Sequence, residues 1–144
     1  GDITLRALAI LRQVKVVCCE DTRHSRPLLA RYGIGTPMVA LHEHNEARTT
    51  PLVLDRLRAG EAVALISDAG TPLISDPGAR LVQAALEAGH RVIPVPGASA
   101  PLSALVAAGL APHPSTWLGF LPRKGSERRD LLRAATASPY TVVL

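Results

Sequence analysis

Aromatic residues make up only 3% of this 144-residue chain, with one Trp, two Tyr and one Phe. That scarcity argues against a stacking platform for the bases of single-stranded nucleic acid. No apolar run approaches the ~18–20 residues of a membrane-spanning helix, and the opening residues carry no signal-peptide pattern. Only two cysteines are present, Cys18 and Cys19. They are neighbours on a predicted strand, where successive side chains point to opposite faces, so they do not bridge readily. Buried structural thiols in a cytoplasmic protein are the reading that fits. Internal repeats and low-complexity tracts are lacking too. What is there is a 47% apolar composition, enough for one substantial core and the start of a second. A net charge of +4 and a pI near 9.7 suit an acidic partner.

The chain is organised around Ser67-Asp68-Ala69-Gly70-Thr71-Pro72-Leu73-Ile74-Ser75-Asp76-Pro77-Gly78. The apolar run at 62–66 ahead of it predicts a buried strand, and the spacing of Leu81, Val82, Ala85 and Leu86 behind it predicts a helix over 79–88. A strand-to-helix turn needs only about 2–6 residues, and long ordered loops are usually functional. In a parallel sheet such a loop lies at the carboxyl ends of the strands, where ligands bind.

The remaining pattern alternates. Strands are expected at 14–18, 38–41, 62–66 and 91–95, and helices at 3–12 (capped by Asp2), 23–32, 46–59, 79–88 and 101–108. Gly33, Gly60 and Gly89 supply stops. Strict alternation predicts an α/β domain with a doubly wound parallel sheet. Two prolines at 112 and 114 suggest a linker, giving a first domain over 1–111 and the start of a second α/β domain over 112–144. There, 115–121 reads as a strand, 127–137 as a helix capped by Ser126, and 140–144 as a β-type run. Gly1-Asp2 ahead of the first helix reads as the tail of a Gly-rich loop whose strand is missing, and the β-type run at the other end stops without a cap. A fragment of a longer protein is the expectation.

The motifs in order carry a resemblance. Gly1-Asp2 with Leu5-Arg6-Ala7, Glu20-Asp21-Thr22-Arg23, the 67–78 loop, Pro96-Gly97-Ala98-Ser99-Ala100 and Gly119-Phe120-Leu121-Pro122-Arg123-Lys124 together resemble the tetrapyrrole-methylase superfamily of S-adenosylmethionine-dependent methyltransferases. The run Cys-Glu-Asp-Thr-Arg-His at 19–24, His-Glu-His-Asn-Glu at 42–46 and the 67–78 loop are similar to the branch that 2′-O-methylates a cytidine ribose in small-subunit ribosomal RNA. The resemblance covers essentially the whole chain. It implies S-adenosylmethionine as cofactor, held in a cleft between two α/β domains, and ribosomal RNA in the small ribosomal subunit as partner. It also implies a homodimer. From the residues themselves, neither a membrane nor a metal is expected.

Carried over residue by residue, the resemblance places Asp68, Ala69, Gly70, Thr71 and Pro72 in one cofactor loop and Gly97, Ser99 and Ala100 in a second. Asp68 alone also reads as a turn cap, and Ser99 as a helix N-cap. Asp76 reads equally as a turn residue or as a carboxylate facing the cleft. Glu20-Asp21-Thr22-Arg23 follows a strand, so it either caps the next helix or faces substrate. Candidates to assist deprotonation of a ribose hydroxyl are Asp21, Arg23, Asp76 and Lys124. His42 and His44 lack a third nearby ligand for a metal. Arg123, Lys124, Arg128, Arg129 and Arg133 form a basic segment that is either ordinary solvated surface or a track for RNA phosphates. Methylation of a small tetrapyrrole, or a silent binding module, stays open as an alternative.

Overall fold

The computed structural model describes residues 1–144, which divide into two compact units, Gly1–Ala98 and Ser99–Leu144. The first contains α1 (Leu5–Gln13), β1 (Val16–Cys19), α2 (Thr22–Arg31), β2 (Met38–Ala40), α3 (Glu46–Arg58), β3 (Val63–Ile66) and α4 (Ala79–Glu87). The second contains α5 (Ala100–Ala107), β4 (Ser115–Trp117), α6 (Ser126–Ala137) and β5 (Thr141–Val143).

In the first unit three parallel strands take the order β2-β1-β3, with Val17 opposite both Met38 and Ala64 and Cys18 opposite Val39 and Leu65. Period-two alternation divides the core between the two faces of the sheet. Val17 joins Leu8, Leu11, Val14, Leu29 and Ile34, the apolar sides of α1 and α2, on one face. Cys18 joins Leu41, Val53 and Leu81, which brings in α3 and α4, on the other. Central β1 is buried at every position, as a strand covered on both faces must be. Both cysteines are free and buried, and burial pushes the Cys18 thiol up to about 11, so it stays protonated and unreactive.

Several elements differ from expectation. The first helix starts at Leu5, not Ile3, because the Thr4 hydroxyl accepts the Ala7 N–H at 3.1 Å and takes the capping place assigned to Asp2. The stretch 91–95 forms no strand. Pro94 and Pro96 remove two ladder donors, and β3 pairs only on its β1 side. An apolar groove of about 480 Å³ lies between, lined by Val63 to Leu65 and by Val92 to Pro96. Val92 and Ile93 accordingly remain 40% and 50% exposed.

The second unit is a compact βαβ arrangement, with β4 and β5 parallel and Thr116 opposite Val142. Its first strand is shorter than the expected 115–121, and Gly125 rather than Ser126 stands at the N-cap of α6. The unit begins at Ser99, ahead of the proline pair where the sequence places a linker, because α5 packs against β5.

The His-Glu-His-Asn-Glu run turns out to be structural in part. The Asn45 side chain accepts the His42 N–H at 2.9 Å and donates to the Ala40 carbonyl at 3.0 Å, closing the turn after β2. Glu46 accepts the Leu81 N–H at 3.1 Å. Helix α4 has Gly78 at its N-cap and no cap of its own, so a carboxylate from the start of α3 satisfies one of its open donors. Glu46→Ala is expected to lower stability by about 0.5–2 kcal/mol, the range for a lost cap. Glu46→Gln, which keeps the acceptor, should recover part of the loss in urea unfolding. Equal midpoints for wild type and Glu46→Ala would show that the bond contributes nothing.

Candidate functional site at the carboxyl edge of the parallel sheet

The path of the chain fixes where a ligand site can lie. It leaves β1 for β2 on one side, then crosses back to place β3 on the other. The reversal falls between β1 and β3, and in doubly wound sheets ligands bind outside the carboxyl ends of the strands at such a point. The loops flanking it are those after β1 and β3, which carry Asp21 to His24 and Ser67 to Gly78.

After β1, Asp21 is the N-cap of α2. Its Oδ1 accepts the Arg23 N–H at 2.8 Å and Arg23 Nε at 3.0 Å, and its Oδ2 accepts Arg23 Nη2 at 2.7 Å. These bonds, chiefly those from the Arg23 side chain, hold the Asp21 carboxyl down at about 2. Of the two readings the sequence leaves open, the capping network is the one formed. Asp21 and Arg23 are largely occupied with each other. The next residue reaches further: His24 Nδ1 lies 2.9 Å from Asp68 Oδ2, across the point of reversal. The bond to Asp68 and its negative charge raise the His24 pKa.

After β3, the loop folds on itself. The Ser67 hydroxyl donates to the Ala69 carbonyl at 3.0 Å, and the Thr71 hydroxyl donates to the Ala98 carbonyl at 3.0 Å, tying this loop to the segment that contains Gly97. Leu73 and Ser75 take φ values of 72° and 65°, a left-handed conformation that costs side-chain-bearing residues energy and clusters at functional sites. Gly78 closes the loop at φ 121°, a conformation that strains any residue with a side chain, and a Cβ there would also displace Leu65 Cδ2, 2.5 Å away. Gly70 has room: a Cβ would meet only the Ala98 carbonyl oxygen, at 3.9 Å, and at Gly97 nothing lies within 4 Å. Both loops therefore present open backbone. Burial and the charge of Asp68 push the Asp76 carboxyl up.

The structure thus brings Asp21, Arg23, Asp68 and Asp76 to one edge, with Ala69, Gly70, Thr71, Pro72 and Gly97 on the adjoining backbone. Ser99 and Ala100 open α5 in the second unit, where the Ser99 carbonyl accepts the Ser103 hydroxyl at 2.8 Å and Ser99 provides no side-chain cap. Lys124 lies in the second unit, exposed, in the loop before α6. In that unit Arg128 donates to the Pro122 carbonyl at 3.1 Å and Arg133 pairs with Asp130 at 3.3 Å, while Arg123 and Arg129 are exposed. The rings of His42 and His44 meet edge to face at 6.1 Å, and no group of three or more His, Cys, Asp or Glu side chains could hold a metal. His24 is the residue that motif reading passed over. Its signal is its place, three residues past the N-cap Asp21 in the turn that follows a strand.

Open glycine-bearing loops and acidic side chains lie here at a topological switch point, the place where open α/β sheets of the doubly wound class bind their ligands. Comparison with known proteins specifies the family. Residues 1–144 match the Tetrapyrrole (Corrin/Porphyrin) Methylases throughout, and the chain belongs to that family. It is 52% identical over 143 residues to the Ribosomal RNA small subunit methyltransferase I of Xylella fastidiosa, covering 99% of this chain and 52% of that protein. Proteins of the same name from Mesorhizobium japonicum and Escherichia coli O157:H7 are 53% and 49% identical, each over 99% of this chain, of which it covers 49% and 50%. The chain spans about half the length of the curated relatives it matches. Among solved structures, the uroporphyrin-III-C-methyltransferase of Thermus thermophilus superposes with a TM-score of 0.55 at 28% identity, over 76% of this chain and 46% of that one.

Proposed function

We propose that the whole protein is an S-adenosylmethionine-dependent methyltransferase that methylates the 2′-hydroxyl of a cytidine ribose in small-subunit ribosomal RNA. The observation that carries this reading is identity near one half, sustained over 99% of the chain, with relatives named for small-subunit ribosomal RNA methylation. The 28% identity to a porphyrin-type methyltransferase favours RNA over a small tetrapyrrole as substrate.

The residues present fit the cofactor. Open backbone at Gly70 and Gly97 admits an adenosine moiety closely, and Asp68 Oδ1, which makes no bond to the protein, supplies an anionic acceptor for an ammonium or a ribose hydroxyl. Ala69, Thr71 and Pro72 continue that loop, and Ser99 and Ala100, which follow Gly97 in sequence, complete the residues proposed to hold the cofactor. When bound, S-adenosylmethionine supplies an electrophilic methyl group already attached to its leaving group. What remains for the protein is to align the acceptor oxygen, exclude water and take up a proton. Equilibrium binding of labelled S-adenosylmethionine to the full-length protein tests the reading: saturable binding is expected, and none would contradict it. A homodimer working in the cytoplasm belongs to the same reading. Light scattering showing a monomer at micromolar concentration would remove the dimer from it.

For the RNA, the exposed Arg123, Lys124 and Arg129 are the proposed phosphate-binding side chains, whereas Arg128 is partly occupied by the Pro122 carbonyl. Lys124→Glu combined with Arg129→Glu in the full-length protein is expected to leave cofactor affinity unchanged and to reduce methylation of small subunits. The log–log salt dependence of RNA binding should become shallower by roughly one unit for each phosphate no longer neutralised. An unaltered slope with full methylation would return this segment to ordinary solvated surface.

A further inference from the structure

We propose that His24 is the general base of the transfer reaction and that Asp68 is its positioning residue. The inference rests on the methyltransferase reading above and adds the group that takes the proton.

Geometry carries it. His24 stands in the first turn after β1 and Asp68 in the loop after β3, so their 2.9 Å contact spans the point where the sheet order reverses. A carboxylate only accepts, so in the neutral ring Nδ1 carries the hydrogen and Nε2 holds the free lone pair. The side chain is 73% exposed, so a substrate arriving at the edge can reach the rest of the ring.

The other candidates at this edge are worse placed or weaker. Both oxygens of Asp21 are held by Arg23. Asp76 is a carboxyl, whose ordinary pKa lies further from neutrality than that of an imidazole, and a base works best with a pKa near the operating pH. Every charged group facing the ring comes from these two loops. Asp68 and Asp21 favour its protonated form and Arg23 opposes it, while Asp76 faces Asp68 rather than the ring, and Cys19 at the end of β1 is a buried thiol whose pKa burial raises.

In the proposed step the ribose 2′-hydroxyl gives its proton to His24 Nε2 as its oxygen forms a bond to the methyl carbon. The carbon–sulfur bond breaks with its electron pair remaining on sulfur, and the imidazolium later releases the proton to solvent. Only neutral His24 can act, so the rate should rise with pH through the His24 titration and then level.

The test uses the full-length protein with S-adenosylmethionine and small ribosomal subunits. His24→Asn is expected to bind the cofactor as wild type does, to lose about 10²–10⁴-fold in kcat, and to lose the acid limb of the pH–rate profile. Asp68→Asn should move that limb to lower pH. The ring signals of His24, followed by NMR without cofactor, should shift their titration downward in the same variant. A His24→Asn protein that methylates within about threefold of wild type with the same acid limb would overturn the base. A His24 titration that ignores Asp68→Asn would overturn the positioning role. Failure of the wild type to bind S-adenosylmethionine strikes the functional reading itself, and the base with it. Normal cofactor binding beside an unimpaired His24→Asn strikes the base alone.

Discussion

Replacing Asp68 with alanine in the full-length protein is expected to weaken S-adenosylmethionine binding by about 1–3 kcal/mol, the loss for a charge-assisted hydrogen bond. At about 1.4 kcal/mol per tenfold, that is roughly 5- to 150-fold in Kd. The carboxylate has two oxygens, and His24 engages only Oδ2. Removing both separates two losses that different measurements read: equilibrium binding reports the bond to the cofactor, and turnover at saturating cofactor reports the loss of His24 orientation. The fold should survive, because Asp68 lies in a loop beyond the end of β3 and outside both apolar clusters. Unchanged cofactor affinity in a folded Asp68→Ala protein would remove Asp68 from the cofactor site while leaving its role beside His24 intact.

The second large effect is on stability. Leu41 is fully buried just past β2 and packs with Cys18, Val53 and Leu81, which joins the sheet to α3 and α4 on one face. Leu41→Ala removes apolar surface and leaves a cavity where strand, turn and helices are all fixed, and such changes cost about 2–5 kcal/mol. Against the ~5–15 kcal/mol that holds a typical domain together, that is enough to leave a sizeable unfolded fraction at physiological temperature. Urea unfolding of the 144-residue chain should show the midpoint falling with the slope unchanged. A loss below about 1 kcal/mol would mean that Leu41 is not a fixed part of the packing.

Much of the fold was legible because its signals are local. The alternation of β-branched runs with helical spacing foretold every strand of the three-stranded sheet, and the stops at Gly33, Gly60 and Gly89 fall just past the ends of α2, α3 and α4. Cys18 and Cys19 do point into different surroundings, as adjacent strand residues must. Where expectation and structure part, the deciding interaction is distant in sequence or depends on a partner. The 91–95 run has strand composition beside the open edge of β3, but Pro94 within it and Pro96 just past it lack the N–H donors that a ladder needs. Glu46 caps a helix 35 residues away, and His24 finds its carboxylate 44 residues away. The division at Ser99 depends on α5 meeting β5, which the proline pair at 112 and 114 does not reveal.

For the candidate site the balance is similar. The loops were visible as long, glycine- and proline-bearing connections after strands, and that was enough to locate the edge. Their internal roles were not visible. Asp21 could have faced substrate or capped α2, and only the three-dimensional approach of Arg23 settles which bonds it makes. His24 carries no signature of its own until Asp68 is brought against it.

The central claim is most directly tested by supplying the full-length protein with S-adenosylmethionine labelled in its methyl group, together with small ribosomal subunits, and digesting the RNA to nucleosides. Label recovered in 2′-O-methylcytidine, at a rate reduced about 10²–10⁴-fold by His24→Asn, is the predicted result. Label on a base, or on no nucleoside, from a protein that binds the cofactor, would contradict the account.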